Sequence, residues 1–130
     1  MMAYYESLIL PAWAPPAVLF GYVWTPLYII IFITYSWVFF KVVVSKDIPY
    51  RVGIPFFLNI LLNLSFTPVQ FILQIEWLAL LVVMLVVVTL VWALVAIKPY
   101  APKIAVANIP YLLWGMFATV LQFTITWLNW

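Results

Sequence analysis

The chain has 130 residues, of which 70% are hydrophobic and 6% charged, with a net charge of +2. A soluble domain carries roughly a quarter of its residues as Asp, Glu, Lys and Arg, so a chain of this composition needs lipid to cover its surface. Cys and His are both absent, which excludes a disulfide framework and, within one chain, a zinc, thiolate or His-ligated haem site; five scattered bases form no nucleic-acid surface.

Residues 1–16 are rich in aromatics and proline, with Tyr4, Tyr5, Trp13, Pro11, Pro15 and Pro16. Met1 to Ser7 carries Glu6 and no base, unlike the basic start of a targeting segment. Proline breaks the segment too often for a membrane span, and Pro15-Pro16 holds it extended. It is therefore either an interfacial anchor or a lid folded over one mouth of a bundle.

Four apolar stretches follow, free of charge over residues 17–40, 52–75, 77–97 and 104–130. About 20 residues of helix cross the hydrocarbon. The runs are too uniformly apolar for barrel strands, which alternate every second residue. The expected fold is all-α: an integral membrane bundle of four helices, about 17–43, 52–74, 76–97 and 104–128, forming one transmembrane domain over residues 1–130. Short links make successive helices antiparallel neighbours. Pro26, Pro68 and Pro110 lie inside the spans and predict kinks, and Pro16 fits the first turn of the first helix.

Three of the helices carry polar or aromatic stripes. The first has Trp24, Tyr28 and Tyr35 at helical spacing, and the second has Asn59, Asn63, Phe66 and Gln70. The fourth has Tyr111, Trp114, Ala118, Gln122 and Asn129, with Gly115 beside them. A buried amide in hydrocarbon needs a partner, so these stripes point inward, as glue between helices or also as the wall of a cavity. The third helix has Thr89 as its one hydroxyl, and it reads as a lipid-facing helix with little part in any site. Trp13, Trp77, Trp127 and Trp130 suit an interfacial belt. Trp24, Tyr28 and Trp114 lie deeper, where converging rings can wall a flat apolar pocket.

All five bases, Lys41, Lys46, Arg51, Lys98 and Lys103, fall on the two links at one end of an antiparallel bundle. The basic loops 41–51 and 98–103 are expected in the cytoplasm, and both termini on the opposite side.

Three motifs resemble the translocator protein or tryptophan-rich sensory protein family (TspO/MBR). The first resembles W-Y-x-x-L-x-x-P-x-W-x-P-P-x-x-x-F-x-x-V-W-x-x-L-Y. Here it reads Tyr4, Tyr5, Leu8, Pro11, Trp13, Pro15, Pro16, Phe20, Val23, Trp24, Leu27 and Tyr28, with Tyr4 for the first Trp. The second, L-N-x-x-W-(S/T)-P, is matched by Leu62, Asn63, Phe66, Thr67 and Pro68, with Phe66 for Trp. The third, P-Y-L-x-W-x-x-F-A-x-x-L-N, is matched from Pro110 and Tyr111 through Trp114, Phe117 and Ala118 to Gln122, with Gln122 for Asn.

The resemblance implies a five-helix fold, of which this chain has room for four; the helix that would precede Tyr4 is expected to be the missing one. The flank it leaves is to be closed by lipid or by a second subunit in a homodimer. Some relatives carry an acidic residue in the stretch matching Leu78 to Val83, which here is wholly apolar. The sterol-recognition pattern of animal members is not expected to operate, because no base follows Tyr111 and Phe123 stands at the motif tyrosine.

By resemblance, the chain is a membrane binding protein, a sensor or carrier, for a flat hydrophobic small molecule such as a porphyrin, held as ligand and not as cofactor. The ligand wall implied by position is Trp13, Trp24, Tyr28, Asn63, Phe66, Trp114 and Ala118. Three other readings stay open. A structural or chaperone-like membrane subunit would have the same rings packed without a void. A light-dependent porphyrin-degrading enzyme would use Trp and Tyr as electron donors, since Glu6, Asp47 and Glu76 lie at loop edges and make no acid–base pair. A small transporter would lack the repeats or intramembrane charge that alternating access leans on.

Overall fold

A computed structural model describes residues 2–129; the place of Trp130 in an interfacial belt lies outside them. The protein is an all-α membrane bundle. A short helix α1 (Met2–Ser7) and an extended, proline-bearing segment lead into four long helices: α2 (Ala17–Val44), α3 (Tyr50–Leu73), α4 (Glu76–Ile97) and α6 (Ile109–Leu128). Each of the four is long and apolar enough to cross a membrane. A short helix α5 (Pro102–Ala107) precedes α6.

Proline sets several of the boundaries. Pro16 and Pro49 are the extended N-cap residues of α2 and α3, so Pro16 stands just outside the helix and not in its first turn. Pro110 occupies the first turn of α6, where its missing N–H costs no hydrogen bond. The expected single helix from 104 is therefore two, divided at Asn108. At Pro68 the last turns of α3 widen into a π-helix (Pro68–Leu73), one of the known ways for a helix to absorb a lost hydrogen bond. That stretch ends at Gln74, whose left-handed backbone (φ 56°) reverses the chain into α4.

The expectation for the third span is corrected. α4 does not merely face lipid; it is the central helix, packed on α3 along one side and on α6 along another. Ala79, Val82, Val86, Leu90, Ala93, Leu94 and Ile97 are all buried. Small residues permit the close approach: a Cβ on Gly115 of α6 would lie 3.3 Å from Val87 of α4. A helix apolar on every side shows no periodic face in its sequence, so lipid contact and central packing read alike.

The bundle has two unlike ends. At the end bearing the basic links, Tyr35, Val38, Phe56, Leu90 and Ile97 close a continuous core, and Arg51 Nη2 donates to Tyr100 Oη (3.3 Å) between the two links. At the other end, α1, the α3–α4 turn and the C-terminal turn of α6 meet. Asn129 clasps the backbone of Ile9 there, accepting from its N–H and donating to its carbonyl, both at 2.9 Å.

Candidate functional site

A cavity of about 350 Å³ opens between α2, α3, α4 and α6, toward the end that holds both termini. Small residues make the room: Ala17 and Gly21 on α2, Gly115 and Ala118 on α6. A Cβ built on Gly21 meets nothing within 4 Å.

Large rings line the remainder. Trp24 stacks on Tyr28 at 5.2 Å and meets Trp114 edge-on at 6.4 Å. Phe20 lies edge-on to Trp114 at 5.9 Å and to Tyr5 at 5.1 Å. Such pairs contribute about 0.5–1.5 kcal/mol each beyond their burial, so the wall is stiff without being full.

Of the seven residues expected at a ligand wall, the structure brings six together: Trp24, Tyr28, Asn63, Phe66, Trp114 and Ala118 all border the cavity. Trp13 does not. Its ring is half exposed and packs edge-on to Phe117 at 6.0 Å, behind the wall. The N-terminal residue that reaches the cavity is Tyr5, whose hydroxyl donates to the carbonyl of Pro15 (2.8 Å) and closes the segment on itself. Burial raises the Tyr5 hydroxyl above its ordinary pKa. Sequence reasoning also missed Val83 and Val86, which α4 contributes to the wall. Nothing in an unbroken run of Leu, Val and Met marks those two from their neighbours.

Below the cavity, toward the basic end, lies a dense polar network. Tyr28 donates to Asn63 Oδ1 (2.7 Å), and Asn63 Nδ2 donates to Tyr111 Oη (2.8 Å). Tyr111 donates in turn to Asn59 Oδ1 (2.8 Å), which also accepts from Tyr35 (2.7 Å). Asn59 Nδ2 reaches the Val86 carbonyl and the Thr89 hydroxyl of α4. The asparagine stripe thus divides by depth: Asn59 ties α3 to α2, α4 and α6, while Asn63 ties α3 to α2 and α6 and borders the void.

Toward the termini the polar groups are arranged differently. The Glu76 carboxylate accepts from Tyr4, from Gln70 Nε2 (3.2 Å) and from Gln122 Nε2 (2.7 Å). Burial, with the bond to Glu76 and its charge, pushes the Tyr4 hydroxyl up to about 12. Gln70 and Gln122 both border the cavity. Among the described residues, two that border the cavity carry a fully buried polar atom without a partner, Gln70 Oε1 and Trp114 Nε1. Each such atom costs about 1–3 kcal/mol when buried. Among the described residues no cluster of carboxylates suits a metal ion.

The family profile described as TspO/MBR family matches residues 1–128. The chain is 33% identical over 129 residues to the tryptophan-rich protein TspO of Chlorobaculum tepidum, covering 97% of this chain and 79% of that protein. An uncharacterized membrane protein, YtaB of Bacillus subtilis, is 31% identical over 128 residues, covering 97% and 80%. The tryptophan-rich protein TspO of Bacillus cereus is 29% identical over 130 residues, again covering 97% and 80%.

Proposed function

The chain belongs to the TspO/MBR family of membrane proteins, and from that premise we propose that it binds a flat hydrophobic ring ligand of porphyrin type, as a sensor or carrier. The observation that carries this reading is the cavity itself. About 350 Å³ is left open among four helices between Trp24, Asn63 and Trp114. Ligand pockets begin at about that size, roughly 300–1,000 Å³, and are mostly apolar with a few placed polar groups. The same rings packed without a void would have favoured a structural subunit.

The ring system enters from the end bearing the termini and lies against Trp24 and Trp114. Tyr5 closes over it from the N-terminal segment, and Asn63 with Tyr28 forms the floor. By the positive-inside rule the basic links face the cytoplasm, and the cavity mouth then faces the opposite side.

Protoporphyrin titration of the detergent-purified protein, followed by tryptophan fluorescence, tests this. Quenching saturates, and the paired variant Trp24→Phe, Trp114→Phe weakens binding by about tenfold or more, since stacking of a flat ring on an aromatic side chain is worth roughly 1–3 kcal/mol. Linear quenching, or saturable quenching unchanged in the variant, overturns the assignment of the site.

A further inference from the structure

A second hollow lies on the outer surface of the bundle, between α2 and α3. It is a groove of about 400 Å³, with buried Ile31 and Tyr35 as its floor. Phe32, Ser36 and Phe39 of α2 and Ile60 and Leu64 of α3 form its sides. Tyr28 ends it near the middle of α2, where its hydroxyl donates to Asn63 (2.7 Å) and ties the two helices together. At the other end the link 45–49 joins the two walls and so crosses the mouth of the groove.

The length of the groove limits what can fill it. From Tyr28 to Phe39 it runs about 16 Å along the helix axis, half of the roughly 30 Å of hydrocarbon. It therefore lies within one leaflet, the one on the side of the basic links. A helix from a second copy is about 10–12 Å across and needs a flank that runs the whole span. A single lipid acyl chain needs only its own leaflet. Beyond Phe39 the exposed Val43 and Val44 carry the apolar surface on to the link.

The link itself is cationic. It carries Lys46, with Lys41 and Arg51 on either side and Asp47 as its one acid. Lys41 holds Asp47 at 3.3 Å and neutralises it. Lys46 is exposed, stands on a left-handed backbone (φ 58°) and has no carboxylate within ion-pair distance among the described residues. Lys98 and Lys103 on the neighbouring link bring this end to five bases against one acid. Bases beside a membrane surface attract anionic headgroups, and each adds to the affinity.

We infer that the groove between α2 and α3 is a binding site for one anionic phospholipid. An acyl chain lies along Ile31, Tyr35 and Phe39, and the headgroup phosphate meets Lys46 on the link. The site shares Tyr28 with the ring-ligand cavity but opens toward the opposite end, and it does not depend on what that cavity holds.

The test is native mass spectrometry of the purified protein in detergent, with phosphatidylglycerol and phosphatidylcholine of identical acyl chains added in equal amounts. The monomer retains one phosphatidylglycerol, favoured over phosphatidylcholine by about fivefold or more, the weight of one base beside an anionic headgroup. Lys46→Gln brings the two lipids close to parity. Ser36→Trp, which fills the groove from its exposed side, removes retention of both. Retention of neither lipid, or equal retention of both, by the unaltered protein overturns the inference whether or not the variants fold. A preference undiminished in Lys46→Gln places the headgroup on other bases and overturns it too. Phosphatidylglycerol retained as before by a folded Ser36→Trp protein puts the lipid outside the groove, and a dimer that Ser36→Trp dissociates puts a second copy in it; either result contradicts the assignment. Protoporphyrin quenching stays the same in both variants, since neither Ser36 nor Lys46 borders the cavity, so this inference and the proposed function fail separately.

Discussion

The two ends of the bundle are built from the same helices and the same residue classes, yet their hollows differ: toward the basic end a groove runs between α2 and α3 along Ile31, Tyr35 and Phe39, while the other end holds a pocket walled by four helices. At the basic end Tyr35, Phe56 and Tyr111 are buried rings, and the polar atoms of Asn59 are partnered across α2, α3, α4 and α6. At the end bearing the termini, Trp24 and Trp114 stand round a void; among the described residues buried polar atoms without a partner occur at both ends, on Gln70 and Trp114 here and on Asn108 at the basic end. Interiors pack to crystal-like density when nothing opposes it. A stiff aromatic wall beside Gly21, Gly115 and Ala118 opposes it here. The difference separates stability from binding: the core at one end sets the fold, and the pocket at the other is free to hold something else.

Substitutions can break that division. The largest effect is expected from Phe56→Ala, which opens a hole in the core at the basic end and lowers stability by on the order of 3 kcal/mol, read by denaturation in detergent. Asn59→Ala comes next, at about 2 kcal/mol, because it strands the hydroxyls of Tyr35 and Tyr111. Gly21→Ala runs the other way. Its new Cβ has open space, and the gain in helix propensity raises stability by up to about 1 kcal/mol. A loss of stability there would show that the pocket is closed in solution.

The smallest effect concerns Tyr4. Its hydroxyl is raised from 10.0 to about 12, so its bond to Glu76 contributes fully below pH 10 and is lost as pH rises through 12. The Tm of the unaltered protein should therefore exceed that of Tyr4→Phe slightly below pH 10, and the gap should close by pH 12. A gap of constant size across that interval would show that the hydroxyl bond is not its source.

Legibility in the sequence follows the same line. The spans are plain, because an uncharged apolar run long enough to cross a bilayer is the mark of a membrane helix. Trp24, Asn63 and Trp114 stand out by helical spacing and by resemblance, and the structure sets them round one cavity. The central place of α4 is not legible, because its valines and leucines suit lipid and protein neighbours equally. Nor is the exchange of Trp13 for Tyr5 at the cavity, since proline fixes the shape of the N-terminal segment without saying which ring it turns inward. The split of the last helix at Asn108 comes from Pro110 acting as a helix start in place of an interior kink.

Ala118→Leu, which puts bulk into the cavity from α6 and leaves the basic end untouched, gives the most direct test of whether the pocket is a ligand site. Protoporphyrin dimethyl ester at about one hundred times its dissociation constant should stabilise the unaltered protein by about 2.7 kcal/mol, seen as a rise in Tm. The account predicts that Ala118→Leu melts near the unaltered protein without ligand and gains little or nothing when the ester is added. Equal stabilisation of both proteins would place the ligand elsewhere and contradict it.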